Sequence, residues 1–161
     1  MAVDMFIKIG SIEGEAISEG HKKEIDVLSW SWGMSNSGSA HMGGGAGAGK
    51  VNVQDLSLTK YVDKASTNLV VACCKGTHFP EATLVVRKAG GTPLEYMKII
   101  LTEVLITSIN TGGSGGSDRL TENVSLNFAK FKLIYQPQDA KGAKDGGELF
   151  AVFNIAENID S

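Results

Sequence analysis

Proline is nearly absent from this chain, with three residues in 161. Its 20 glycines, about 12% where about 7% is usual, therefore do not belong to a Pro-rich disordered tract. Cysteine is as scarce, and the two present, Cys73 and Cys74, are adjacent. Sequence neighbours rarely meet disulfide geometry, so the chain reads as one made for a reducing cytosol. Apolar runs are short. The longest covers residues 69–74, far below the ~20 residues of a membrane helix, and membrane insertion is not expected. Positive charge is not in excess: 15 Lys and Arg against 18 Asp and Glu leave a net charge of -3. That balance argues against a nucleic-acid partner held by a general basic field. The N-terminus carries Asp4 and no basic stretch before an apolar one, so no cleavable signal peptide is expected.

What is present is period-two alternation. Val3, Met5, Ile7 and Ile9 alternate with Asp4 and Lys8, the pattern of a half-buried strand. Residues 25–32 alternate again, with Leu28, Trp30 and Trp32 expected on the core face and Val27, Ser29 and Ser31 on the other. Val51, Val53, Leu56 and Leu58 make a third run with a phase slip near residues 54–55, read as a bulge. Further strands are expected at 82–88, 95–109, 119–136 with a shift near Lys130, and 149–155. One helix is expected over residues 63–75, where Val62, Ala65, Leu69, Ala72 and Cys73 fall at helical spacing and Gly76 supplies the C-terminal cap. Glycine-rich stretches at 43–49 and 112–116 interrupt the strands. The expected fold is mainly β: an antiparallel β-barrel of two packed sheets with one flanking α-helix and long Gly-rich loops, in a single domain over residues 1–161. About 69% of the unfolded surface is buried in a domain of this size, enough for one core.

No chemistry assembles from these residues. Gly44, Gly49 and Lys50 spell most of a phosphate-binding loop, but Val51 stands where Ser or Thr would hold magnesium, and a strand follows where a helix is needed. His21, His41 and His78 form no ligand pair and read as surface or turn residues. Cys73 sits on an apolar helix face and reads as packing. Glu13 with Glu15, and Asp118 with Glu122, read as solvated carboxylates. No catalytic residue, cofactor or metal is expected, and the chain is not read as an enzyme.

Several blocks resemble the haemolysin-coregulated protein (Hcp) family, the tube subunits of type VI secretion systems. They are residues 1–9 with Glu13, Gly14 and Glu15; residues 25–34; His41, Met42 and Gly43 through Gly49, Lys50 and Val51; residues 59–64; and residues 112–124 followed by 135–138. They span most of the chain in order. The resemblance implies a homohexameric ring with a wide channel, stacking into tubes inside a contractile sheath and capped by a spike protein. It also implies cargo: secreted effector proteins in the channel. Such a protein would wait in the bacterial cytoplasm and leave through the secretion apparatus, which needs no signal peptide.

Strand parity then nominates Ser29 and Ser31 as channel-facing. The glycine arm, with Met34, His41, Met42, Gly43, Gly44, Gly45, Gly47, Gly49 and Lys50, is nominated as a contact to an adjacent subunit or the next ring, because side-chain-free backbone can approach closely. Asp118 and Arg119 are nominated at a ring junction or as a local turn pair. The alternative is a stand-alone β-sandwich binding module, for which exposed Trp30 and Trp32 would be the best support.

Overall fold

The alternating segments pair edge to edge into one strongly curled antiparallel sheet. The computed structural model describes residues 3–37, 50–89 and 93–160. In chain order the strands are β1 (Val3–Ile9), β2 (Ile25–Asp26), β3 (Ser29–Ser31), β4 (Met34–Asn36), β5 (Val51–Val53) and β6 (Leu56–Tyr61). Helix α1 (Ser66–Lys75) follows, then β7 (His78–Lys88), β8 (Glu95–Gly112), β9 (Thr121–Tyr135) and β10 (Leu149–Asn154). The main sheet runs β2-β1-β7-β8-β9-β6-β3, and β10 adds to the second half of β9. The fold class read from the sequence holds: mainly β, barrel-like, with one helix.

The two ends of that strand order, β2 and β3, are consecutive pieces of one segment. Ile25 and Asp26 pair with β1, whereas residues 29–31 pair with β6. Between them the Val27 N–H donates to the Met5 carbonyl at 3.0 Å and the Leu28 N–H to the Thr59 carbonyl at 2.8 Å. The segment thus changes edge in mid-stride and draws the sheet round. The change reverses its parity. Ile25 and Val27 are buried, Leu28 is 40% exposed, and Trp30 and Trp32 return to pack against the core. The expected face of Leu28, Trp30 and Trp32 is therefore corrected: Val27 takes the inward place and Leu28 faces water. The slip near residues 54–55 is not a bulge but a change of sheet, since β5 pairs with β4 in a separate two-stranded ribbon and β6 returns to the main sheet.

A crease crosses the middle of the sheet. On β7, β8 and β9 the inward residues jump three places at one level: Phe79 to Ala82, Leu101 to Val104, and Phe128 to Phe131. At the crease Glu103 adopts φ 58°, a left-handed backbone that costs an L-residue about 1–2 kcal/mol. Ala129, opposite, turns its carbonyl to the N–H groups of Ile155 and Ala156 at 2.8 and 3.3 Å, which anchors the chain leaving β10. This accounts for the shift near Lys130 that the sequence displays.

Helix α1 lays Ala65, Leu69 and Ala72 on the core. It starts three residues later than expected, because Asp63 and Ser66 form the turn that precedes it: the Ala65 N–H donates to Asp63 Oδ1 and the Asp63 N–H to Ser66 Oγ, each at 3.0 Å. Gly76, at φ 64°, ends it as expected, with the Gly76 N–H on the Cys73 carbonyl and the Thr77 N–H on that of Ala72. Cys73 packs partly against the core and Cys74 is exposed.

Beside the helix start a charged cluster is enclosed. Lys60 and Glu122 face each other across β6 and β9 at inward positions and are almost without exposure. Lys60 Nζ donates to Glu122 Oε2 at 2.5 Å and to Ser66 Oγ at 3.3 Å, and sits 2.9 Å from Asp63 Oδ1. Glu122 also accepts from Ser66 Oγ and Thr111 Oγ1. Glu122 is thus not the solvated carboxylate expected of it. Burial pushes its carboxyl up, but the Lys60 and Ser66 hydrogen bonds, the Lys60 charge and the Thr111 hydrogen bond outweigh that and hold it below its ordinary 4.5.

Two outcomes are expected. A carboxyl held low in the folded state contributes stability above its unfolded value and loses it as pH falls through the folded one, so this contribution is complete above about pH 4.5 and drains away below it. Glu122→Gln leaves Lys60 short of a counter-charge and costs about 3 kcal/mol in urea unfolding at pH 7, with a weaker loss of stability on acidification than in the parent. Glu103→Gly relieves the left-handed backbone and raises the free energy of urea unfolding by about 0.5–1 kcal/mol, whereas the β-branched Glu103→Val lowers it.

Candidate functional site: a hydroxyl and amide face

The curled sheet carries an ordered polar surface on its outer side. Strand register assembles it in two rows across β3, β6, β9 and β8. Ser31 pairs with Ser57, Ser57 with Ser125, and Ser125 with Ser108. In the next row Ser29 pairs with Thr59, Thr59 with Asn123, and Asn123 with Asn110. Period-two alternation puts these eight side chains on one face while Leu58, Val124 and Ile109 between them turn to the core. They line a shallow depression of about 260 Å³.

Hydrogen bonds order the floor. Thr59 Oγ1 donates to Asn123 Oδ1 at 2.7 Å, and the Ser57 and Ser125 hydroxyls are 3.4 Å apart. Below the rows, Asp55 accepts from Thr107 Oγ1 at 2.6 Å and from Asn127 Nδ2 at 2.9 Å. Each row residue offers a hydroxyl or amide and none is ionisable, so the face can exchange hydrogen bonds with a protein surface without fixing it by charge. No proton-transfer chemistry is built into it.

The nominated residues fall into separate places. Ser29 and Ser31 are both exposed and both lie on this face. Reasoning along single strands missed their six partners, because strand order and register bring the rows together; the runs of small polar residues at every second position of β6 and β9 were the available signal. Met34 is exposed at the base of the β4–β5 ribbon, and Lys50 is exposed just before β5. The strand after Lys50 agrees with rejecting a phosphate loop. His41, Met42, Gly43, Gly44, Gly45, Gly47 and Gly49 lie outside the described residues. Arg119 lies 3.8 Å over the Tyr61 ring centroid, and Asp118 is exposed in the β8–β9 turn. His21 is buried rather than a surface residue, whereas His78 is exposed. The packing of Trp30 and Trp32 against the core removes the main support for a sugar-stacking module.

A second concavity of about 430 Å³ lies between the ribbon and β10, walled by Trp32, Val53, Phe131, Leu133 and Phe153. Among the described residues no helix is long and apolar enough to cross a membrane.

The chain is thus a mainly β, barrel-like domain with an uncharged polar sheet face. The chain belongs to the type VI secretion system Hcp family, whose model, described as "Type VI secretion system effector, Hcp", matches residues 6–135. It is 64% identical to protein hcp1 of Pseudomonas aeruginosa over 162 residues, covering 100% of both chains. Among solved structures it is similar to Hcp1 from Salmonella typhimurium, with TM-score 0.83 and 37% identity over the whole of both chains. A structure described as a type six secretion system protein matches with TM-score 0.92 and 31% identity, over 99% of this chain and 100% of that one. Hcp is a secreted type VI protein and not a known enzyme family, which agrees with the reading of the residues.

If the face is kept for its surface chemistry, its side chains are replaceable at little structural cost. Thr59→Val removes the bond to Asn123, but water takes its place on an exposed face, so urea unfolding shows a loss of no more than about 1 kcal/mol.

Proposed function

We propose that this chain is a single-domain subunit of the type VI inner tube. Six copies close into a ring, rings stack into a tube, and sheath contraction expels the tube behind its spike from the cytoplasm toward a target cell or the medium. The observation that carries this reading is the double row of uncharged small polar side chains on the sheet face. A channel wall must stay wet without holding what passes through it. An apolar wall would adhere to cargo and to other subunits, and a charged wall would trap cargo of opposite sign. Ser29 and Ser31 belong to that wall in this reading, with Ser57, Thr59, Ser125 and Asn123 beside them, and effector proteins carried in the ring touch these groups.

The arm from Met34 to Lys50 reaches a neighbouring subunit or the next ring. Its exposed base at Met34 and Lys50 supports this, together with the backbone closeness that glycine permits. Asp118 and Arg119, in the β8–β9 turn, would meet a neighbouring ring. Ring closure needs two different complementary surfaces on each subunit, and the apolar concavity beside the arm base is suited to be one of them.

Light scattering on a size-exclusion column, at several concentrations, tests the assembly. A stable species at six times the 17.0 kDa subunit mass is expected, and a monomer at every concentration overturns the ring. Ser31→Gln tests the wall: it should weaken retention of co-purifying cargo while leaving that mass unchanged. Loss of the ring in this variant would place Ser31 at a subunit contact instead.

A further inference from the structure

His21 has no part in the proposed tube function, yet it is the most enclosed histidine among the described residues. It lies in the loop of residues 10–24 that joins β1 to β2. That loop folds into a small hairpin: the Gly14 N–H donates to the Lys23 carbonyl at 2.7 Å, the Lys23 N–H to Ala16 at 2.8 Å, and the Ala16 N–H to Glu24 at 2.9 Å. Only glycine fits at position 14, where a Cβ would stand 2.5 Å from the Glu24 carbonyl oxygen. The His21 ring stacks on Phe6 of β1, with centroids 4.6 Å apart and planes 7° from parallel. Its two nitrogens meet two carboxylates: Nδ1 lies 3.0 Å from Glu24 Oε1 of the loop itself, and Nε2 lies 2.7 Å from Glu95 Oε2 at the start of β8.

A neutral imidazole has one N–H and one bare lone pair. With a carboxylate at each nitrogen, either neutral tautomer sets a lone pair against an anion. Flipping the ring puts Cδ2 and Cε1 where Nδ1 and Nε2 stand and loses both carboxylate contacts, and the stack on Phe6 holds the ring plane. Only the imidazolium donates on both sides. We infer that His21 is a protonation-controlled latch that fastens the turn of residues 18–24 to the outer face of the sheet, and that losing its proton loosens this turn.

The surroundings are consistent with a charged ring. Around it stand Glu24 on the loop, Glu95 and Lys98 on β8, and Arg87 on β7, which lies 5.1 Å over Phe6 and 3.7 Å from Asp4 of β1. Lys98 is 3.4 Å from the other oxygen of Glu95, so that carboxylate serves both cations. Burial pushes the Glu95 carboxyl up, but the His21 hydrogen bond and charge, with Lys98, bring it below its ordinary 4.5. Two further ties do not involve the ring: Arg87 Nη1 donates to the Glu19 carbonyl at 3.1 Å, and the Lys64 N–H to Glu15 Oε2 at 2.7 Å. Release is therefore local, loosening the turn over Phe6 without freeing the whole loop.

Nuclear magnetic resonance on the full chain tests this. The ¹⁵N shifts of the His21 ring report its protonation, and amide exchange, corrected for its intrinsic pH dependence, reports the turn. Protection of the His21, Lys23 and Glu24 amides should fall by about tenfold as the ring loses its proton. Strand amides such as Val85 should keep theirs. In His21→Gln the step should vanish, and in Glu95→Gln, which keeps the fold's shape, it should shrink. Constant protection through the titration, an equal step in His21→Gln, or an undiminished step in Glu95→Gln overturns the latch. If His21→Gln does not fold, the Glu95→Gln comparison decides alone.

Discussion

Everything in this fold depends on residues 25–31 serving two strands at once. The main sheet begins on β1 with Ile25 and Asp26 and ends on β6 with residues 29–31, and two successive amides, of Val27 and Leu28, make the transfer. An open sheet leaves unpaired backbone at both edges; a segment that answers to both edges removes them over the length it spans and enforces the curl. The curl encloses Ile7, Leu56, Leu84, Ile99 and Leu126 in one core and leaves α1 to close its side. It also creates a distinct outer face, on which the hydroxyl rows can stand.

The same parity sorts polarity by chemical kind. Inward positions of β6 and β9 carry Lys60 and Glu122, which are tolerated because Asp63, Ser66 and Thr111 complete their hydrogen bonds. Outward positions of those strands carry Ser57, Thr59, Asn123 and Ser125, which water can satisfy. Between these two sets of positions, charge sits only in the enclosed pair, and the hydroxyl and amide rows carry none. For a member of the Hcp family that division has a use: the enclosed pair ties the helix turn to the sheet, while the outer face stays open to contact.

Much of this was legible residue by residue. Alternation marked the strands from 3–9 to 149–155, helical spacing marked α1, and Gly76 marked its end. Three features were not legible, for one common reason. Unbroken alternation through residues 25–32 puts Leu28 inward, but the segment changes partner between residues 26 and 29. Glu122 reads in sequence as a solvated carboxylate because Lys60 is 62 positions away and becomes its mate only by register. His21 looked like a turn residue because Phe6 and Glu95 come to it from two other strands.

The sequence by itself determined the local periods, the helix and its cap, the uncharged character of the polar strand faces, and the blocks that mark the family. Periodicity and turn chemistry are properties of neighbours along the chain, so one strand at a time suffices to read them. Only the tertiary structure decided which edges meet, where three strands shift parity together at Glu103, and which hydroxyls form rows. Those depend on register between segments up to 94 positions apart, as Ser31 and Ser125 of one row are, and register is set by how the whole sheet closes.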